Sequence, residues 1–225
     1  ANWGDEGKGK ITDMLAAEAD IVIRFQGGSN AGHTIINDYG KFALHQMPSG
    51  IFNENTVNII GTGVAFNIPY FIKELSYIKE SGIKEPKIMI SDRVQILMPY
   101  HIDFDTYEEA RLANKQFGST KSGIAPFYSD KYAKTGIQIC DLFYPEILRE
   151  RIEAACEIRN VLLEHLYHMP KLDPRKIYDE VIGYKDIVAP YIANTEEYLF
   201  NAVKEGKNIL LEGQLGALKE YFFLL

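Results

Sequence analysis

Apolar positions along this chain switch repeatedly between the helical and the extended period. Ile11, Met14, Leu15 and Ala16 recur at helical spacing, which predicts a helix over 10–19. Ile21-Val22-Ile23, inside 20–25, then reads as a strand ending at Gly27-Gly28. Residues 34–36 and 42–45 form the arms of a hairpin. Asn37-Asp38-Tyr39-Gly40 supplies its turn and Pro48-Ser49-Gly50 closes it. Further on, 57–60 predicts a short strand, Gly61-Thr62-Gly63 a turn, 68–81 a helix capped by Gly82, and 87–91 another strand.

From Phe117 the composition changes. Gly118-Ser119-Thr120-Lys121-Ser122-Gly123-Ile124-Ala125-Pro126 is loop-like, and 128–134 adds Lys131 and Lys134, so the whole stretch reads as a mobile, basic substrate loop. Ile147, Leu148, Ile152, Ala155, Ile158, Leu162 and Leu166 then make an apolar helical stripe, suited to the core or to a subunit interface. His165 and His168, near its end, have no further ligands nearby and read as solvated surface residues. Asp173-Pro174 is an N-cap followed by proline at the first helical position, Asn194 or Thr195 starts another helix that Gly206 ends, and 208–212 predicts a buried strand. Strands alternating with helices predict an α/β fold, a mainly parallel central sheet covered by helices, with a small hairpin and helical insertions. No linker or repeat marks a boundary, so 1–225 reads as a single domain.

Charge and composition narrow the function. A net charge of −7 argues against broad electrostatic binding of nucleic acid, while leaving room for a local basic pocket. Cys140 and Cys156 lack metal-ligand spacing, which points away from a zinc site or disulfide framework and toward a reducing, cytoplasmic setting. Apolar runs are too short for a helical membrane span. The chain begins at Ala1 rather than Met, which reads as a trimmed start.

The chemistry concentrates before the first helix, in Ala1-Asn2-Trp3-Gly4-Asp5-Glu6-Gly7-Lys8-Gly9-Lys10. Glycines let a backbone approach a phosphate, the helix N-terminus offers unpaired amide donors and a positive dipole end, and two lysines add charge. The stretch reads as a phosphate cradle or, more plainly, as a solvated Gly-rich turn. Ile11 stands where a P-loop has Ser or Thr, so the hydroxyl that holds magnesium is missing, and Asp5 is the natural substitute. A buried strand normally precedes such a cradle, and only three residues do here. Gly27-Gly28-Ser29-Asn30-Ala31-Gly32-His33-Thr34 is a second glycine-rich loop with side chains suited to a ligand. Asp92-Arg93 and Gly213-Gln214-Leu215-Gly216 also fall after strand ends, where α/β folds place ligand groups.

Read together, Trp3 to Lys10 resembles the signature of the adenylosuccinate synthetase family. The segments at 26–34, 48–51, 91–93, 99–101 and 118–124 resemble that family's segments in the same order, covering nearly the whole chain. The resemblance implies a fold related to the P-loop NTPases. It also implies GTP-dependent joining of IMP and L-aspartate through a 6-phosphoryl-IMP intermediate, with Mg2+, in a cytoplasmic homodimer acting in purine biosynthesis. On the matching positions, Asp5 would be the catalytic base and His33 its acid partner, with Asp5 and the Gly32 carbonyl at the metal. Gly4, Glu6, Gly7, Lys8, Gly9, Lys10, Gly32 and Thr34 would hold GTP. Asp5, Asn30, Ala31, Gly32, His33, Thr120 and Gln214 would meet IMP, and Lys134 would reach the IMP of the neighbouring subunit.

Several positions depart from the family pattern. Asn2 replaces Gln, Ser29 replaces Asn or His, Ala125 replaces Gly, and Lys134 stands where Arg is frequent, exchanging a bidentate fork for a point charge. Glu212-Gly213-Gln214-Leu215-Gly216 differs by one place from the commoner order, which leaves the role of Gln214 open. Family members continue for a comparable distance after Leu225. Their guanine-recognition segment, aspartate-binding arginine loop and part of the IMP pocket have no counterpart here, so the chain reads as an N-terminal part. Two alternatives stand beside a synthetase: another P-loop phosphotransferase, and a catalytically inactive fragment that keeps part of the IMP site.

Overall fold

The computed structural model describes residues 7–30, 32–37, 40–115 and 118–214, without the side chains of His33 and Asn37. Gly4, Asp5, Glu6, Ala31, the His33 side chain, the tip of the hairpin turn and Leu215-Gly216 therefore lie outside the described residues. In chain order the elements are α1 (Lys8–Ala16), β1 (Ile21–Gly27), β2 (His33–Asn37), β3 (Gly40–Leu44), β4 (Val57–Phe66), α2 (Ile68–Glu80), β5 (Lys87–Ser91) and β6 (Gln95–Ile96). They continue with α3 (Pro99–Leu112), α4 (Ile124–Ala133), α5 (Pro145–Leu162), α6 (Pro174–Ile182), α7 (Lys185–Val188), β7 (Ile192–Ala193), α8 (Thr195–Lys204) and β8 (Ile209–Glu212). Two compact units result, one comprising the chain up to 94 and from 191, the other residues 95–190.

The first unit is built on a parallel sheet in the order β7-β5-β4-β1-β8, beside which β2 and β3 form a separate antiparallel hairpin. Ile21, Val22, Ile23 and Arg24 of β1 are all buried, because this strand has a neighbour on each side and is covered on both faces. Ile21 and Ile23 pack with Ile59 of β4 and Ala202 of α8. Each of these isoleucines contributes about 1.5–3 kcal/mol by leaving water. The α2 helix follows its sequence signals: Asn67 accepts from the Tyr70 amide at 3.0 Å, Pro69 sits in the first turn, and Phe71, Leu75 and Ile78 face the core. Gly82 ends it in the left-handed conformation, and Asn194 and Gly206 bracket α8 in the same way.

Two expectations for this unit are overturned. Gly61-Thr62-Gly63 is no turn but the middle of the ten-residue β4, and neither glycine is left-handed. Glycine is needed there for close approach: a Cβ on Gly63 would lie 2.1 Å from the Phe25 carbonyl oxygen, where the β1–β4 register shifts between Arg24 and Gln26. The strand over 208–212 is only partly buried, with Leu211 63% exposed, because β8 stands at the end of the strand order among the described residues.

In the second unit, residues 128–134 are not a loop but most of α4 and its cap. Gly123 opens the helix at φ 76, Pro126 falls in the first turn where its missing N–H costs nothing, and Phe127 anchors it, 1% exposed. The stripe of α5 divides. Leu148, Ile152 and Ala155 are buried, whereas Ile147, Ile158, Leu162 and Leu166 remain exposed. His165 and His168 are surface residues as expected, His168 closing the helix in the left-handed conformation.

Three helices of this unit meet at a buried polar contact. His101 Nδ1 accepts from the Met98 amide at 3.0 Å, so its Nε2 carries the proton and donates to Asp130 at 2.8 Å. Arg159 of α5 pairs with the same carboxylate and lies over the Tyr100 ring, 4.0 Å from its centroid. Burial holds the His101 imidazole below its ordinary pKa. Burial alone would raise the Asp130 carboxyl, but the His101 hydrogen bond and the Arg159 charge outweigh it and keep the group below the usual carboxylate range.

Candidate functional site

The sequence opens α1 with glycine and lysine, and the backbone follows. Gly7 is the N-cap at φ 78, ψ 5, no side chain among the described residues caps the helix, and no acidic residue occupies its first turn. A helix start of this kind presents leading amides and the positive end of its dipole, the groups that bind an anion. Lys10 is exposed and Gly9 is buried. The Lys8 ammonium turns toward the end of β8, donating to the Gly213 carbonyl at 2.7 Å with Glu212 Oε1 at 3.9 Å.

Glu212, buried at that strand end, accepts from the Ser49 amide at 2.8 Å and the Ser49 hydroxyl at 3.0 Å. Gln214 follows with its amide set into the second glycine-rich loop. Its Oε1 accepts from the Gly28 amide at 2.9 Å, while its Nε2 donates to the Gly28 carbonyl and, at 2.8 Å, to Asn30 Oδ1. Because β1 and β8 run parallel, their C-terminal ends place Gly28, Asn30, Glu212, Gly213 and Gln214 together with Lys8. This is where open α/β sheets hold ligands. Gly32 is exposed just before β2, and Thr34, also exposed, pairs with Ala43 in the hairpin.

Thr120 and Lys134 belong to the second unit. The Thr120 loop hangs on Asp105 of α3, whose Oδ1 accepts from Ser119 Oγ at 2.6 Å and whose Oδ2 accepts from the Gly123 amide at 2.8 Å. Ser119 Oγ also accepts from the Lys121 amide at 3.1 Å, and Thr120 is exposed with its hydroxyl 2.9 Å from that of Ser122. Lys134 is exposed and left-handed after α4, on the rim of a groove of about 600 Å³ that Arg151, Ile158 and Leu162 also line.

The structure therefore gathers Lys8, Asn30 and Gln214 at one set of strand ends. Sequence reasoning missed Arg24, Glu74, Asp105 and Glu212, all buried. An arginine inside the apolar run Ile21 to Phe25 and a glutamate closing Ile209-Leu210-Leu211 were visible signals of buried polar anchors. Among the described residues, no group of three or more His, Cys, Asp or Glu side chains is arranged to hold a metal ion, and no helix is long and apolar enough to cross a membrane.

A helix-covered parallel sheet, whose strand ends meet a glycine-opened, lysine-bearing helix start, defines an α/β protein with its candidate ligand site at the strand ends. Comparison with known proteins makes the family specific. The adenylosuccinate synthetase family model matches residues 1–223. The adenylosuccinate synthetase of Heliobacterium modesticaldum is 46% identical over 218 residues, covering 97% of this chain and 51% of that protein. That of Dehalococcoides mccartyi is 44% identical over 216 residues, covering 96% and 51%. A structure of fully ligated adenylosuccinate synthetase from Plasmodium falciparum superposes with TM-score 0.81 at 31% identity, over 96% of this chain and 50% of the other. The succinoaminodeoxyadenylate synthetase of cyanophage S-2L, at TM-score 0.53 and 17% identity over 93% of this chain and 47% of that one, shares the fold. The chain belongs to the adenylosuccinate synthetase family, and it spans about half the length of the curated relatives it matches.

Proposed function

We propose that the full-length protein carrying this sequence joins IMP and L-aspartate at the expense of GTP, forming adenylosuccinate in purine biosynthesis. The observation that carries this reading is the family match over residues 1–223, with Lys8, Asn30 and Gln214 converging at one set of strand ends. The C6 oxygen of the purine is a poor leaving group. Moving the γ-phosphoryl of GTP onto it gives 6-phosphoryl-IMP, from which the aspartate amine expels phosphate.

Each residue has a place in this scheme. Asp5 takes the N1 proton of IMP and makes O6 nucleophilic, and His33 opposes charge on O6 or on the phosphoryl group. Gly4, Glu6, Gly7, Lys8, Gly9, Lys10, Gly32 and Thr34 form the GTP side, a role supported by the Gly7 N-cap and the lysines that open α1. Asn30, Ala31, Thr120 and Gln214 form the IMP side, Asn30 held in place by Gln214. A carboxylate at Asp5 and the carbonyl of exposed Gly32 are hard oxygen donors, a set that fits Mg2+ completed by nucleotide phosphates and water. When bound, the metal neutralises charge on the phosphates.

The protein acts in this reading as a homodimer in which Lys134 reaches the IMP of the neighbouring subunit, supported by its exposure beside the open apolar face of Ile158 and Leu162. The family match over residues 1–223 supports a cytoplasmic setting. A second reading concerns residues 1–225 alone. A chain of about half the relatives' length is a catalytically inactive part that retains some of the IMP site. Calorimetry of the 225-residue chain with IMP and with GTP tests this: weak IMP binding without GTP binding is expected, and GTP affinity equal to that of the full-length protein would contradict it.

A further inference from the structure

His45 follows directly on β3, outside every motif the resemblance uses. Its ring is nevertheless wedged beneath the second glycine-rich loop. Nδ1 lies 3.0 Å from the Ser29 carbonyl oxygen, so it carries a proton and donates it. The ring also abuts Gly32: a Cβ built there would stand 2.8 Å from His45 Cε1 and 2.9 Å from Nε2. The wedge is itself anchored. The buried Glu74 carboxylate of α2 accepts from the backbone amides of His45, Gln46 (3.0 Å) and Met47 (2.9 Å), and the Tyr70 ring packs on the imidazole at 5.0 Å between centroids.

We propose that His45 is a positioning residue: with Glu74 behind it, it fixes the backbone at Ser29 and at Gly32, and through it the placement of Asn30 toward IMP. The inference rests on the synthetase reading above. Gln214 grips the same loop at Gly28 and Asn30, so the loop is braced from both flanks. Such bracing matters because a misplacement of about 1 Å in a phosphoryl-transfer site costs roughly 100-fold in rate. It also explains why position 32 is glycine without invoking a left-handed backbone: the imidazole occupies the space of a side chain.

The test is steady-state adenylosuccinate formation by the full-length protein and its His45→Ala, His45→Asn, Gly32→Ala and double His45→Ala/Gly32→Ala variants, with melting temperatures in parallel. His45→Ala should lower kcat/KM for IMP by about 10- to 100-fold with the KM for aspartate unchanged. His45→Asn should recover most of that loss, because its amide nitrogen reaches the Nδ1 position and donates to Ser29. Gly32→Ala should cost less activity in the His45→Ala background than in the wild type. If His45→Ala does not fold, His45→Asn is compared with His45→Gln, whose longer amide misses Ser29. A wild-type kcat/KM in His45→Ala, equal activity of Asn and Gln, or additive losses in the double variant would each overturn the role of His45. A wild-type protein that forms no adenylosuccinate would overturn the functional reading instead.

Discussion

Gln214 and Asn30 stand 184 residues apart in the sequence and 2.8 Å apart in the fold, amide donor to amide acceptor. The one-place shift at 212–216 left Gln214 without a defined role, and the geometry gives it one: it bridges the end of β8 to the loop after β1. Gln214→Ala would strip the buried Gly28 amide and carbonyl of their partners, at about 1–3 kcal/mol. Urea unfolding should register that loss, and the KM for IMP should rise. An unchanged KM would separate the bridge from substrate binding.

Asp105 plays the corresponding part for Thr120. Both of its oxygens accept from the loop, one from Ser119 and one from Gly123. In Asp105→Asn one oxygen becomes an NH2 group that faces a donor. A rise of about 10-fold in the KM for IMP is expected if the loop shift costs about 1.4 kcal/mol of binding, with little change in kcat. A fall in kcat at constant KM would contradict the assignment of this loop to IMP binding.

The His101–Asp130–Arg159 contact makes stability depend on pH in a definite direction. The folded-state pKa of His101 lies below its unfolded value of 6.5, so the unfolded chain binds the proton more readily. Stability is therefore complete above pH 6.5 and is lost as pH falls through and below it. Asp130, also lowered from 3.8, adds a further loss in stronger acid. His101→Gln can keep a donor to Asp130 without titrating. The slope of melting temperature between pH 6.5 and about pH 5 should be smaller in that variant than in the wild type. Parallel slopes would place the pH dependence elsewhere.

Helix ends were the most legible features in the sequence, because their signals are local. Gly82, Asp173 with Pro174, and Asn194 with Gly206 mark boundaries that the structure keeps. The α4 helix was illegible because Gly123 and Pro126 have loop composition but act as an N-cap and a first-turn proline. Gly63 misled for the opposite reason: it serves a close approach to Phe25, a partner 38 positions earlier that no local pattern announces. The same holds for the site. Motif order indicated Lys8, Asn30 and Gln214, whereas Glu74, Asp105 and Glu212 work through backbone amides or hydroxyls 14 to 163 residues away, and a lone carboxylate carries no mark of such a partner.

Asp5 is the residue on which the proposed chemistry turns. In the full-length protein, Asp5→Ala should abolish adenylosuccinate synthesis while circular dichroism and melting temperature stay at wild-type values, since the change removes the proposed base. Appreciable remaining synthesis would put the base at another position.

Omission of single substrates tests the central claim most directly. With the full-length protein, phosphate release from GTP is measured with IMP and aspartate both present, and with each left out in turn. Release that requires both, and that matches adenylosuccinate formed, is the predicted result. GTP turnover that continues unchanged without IMP would contradict a synthetase and favour another phosphotransferase built on the same cradle.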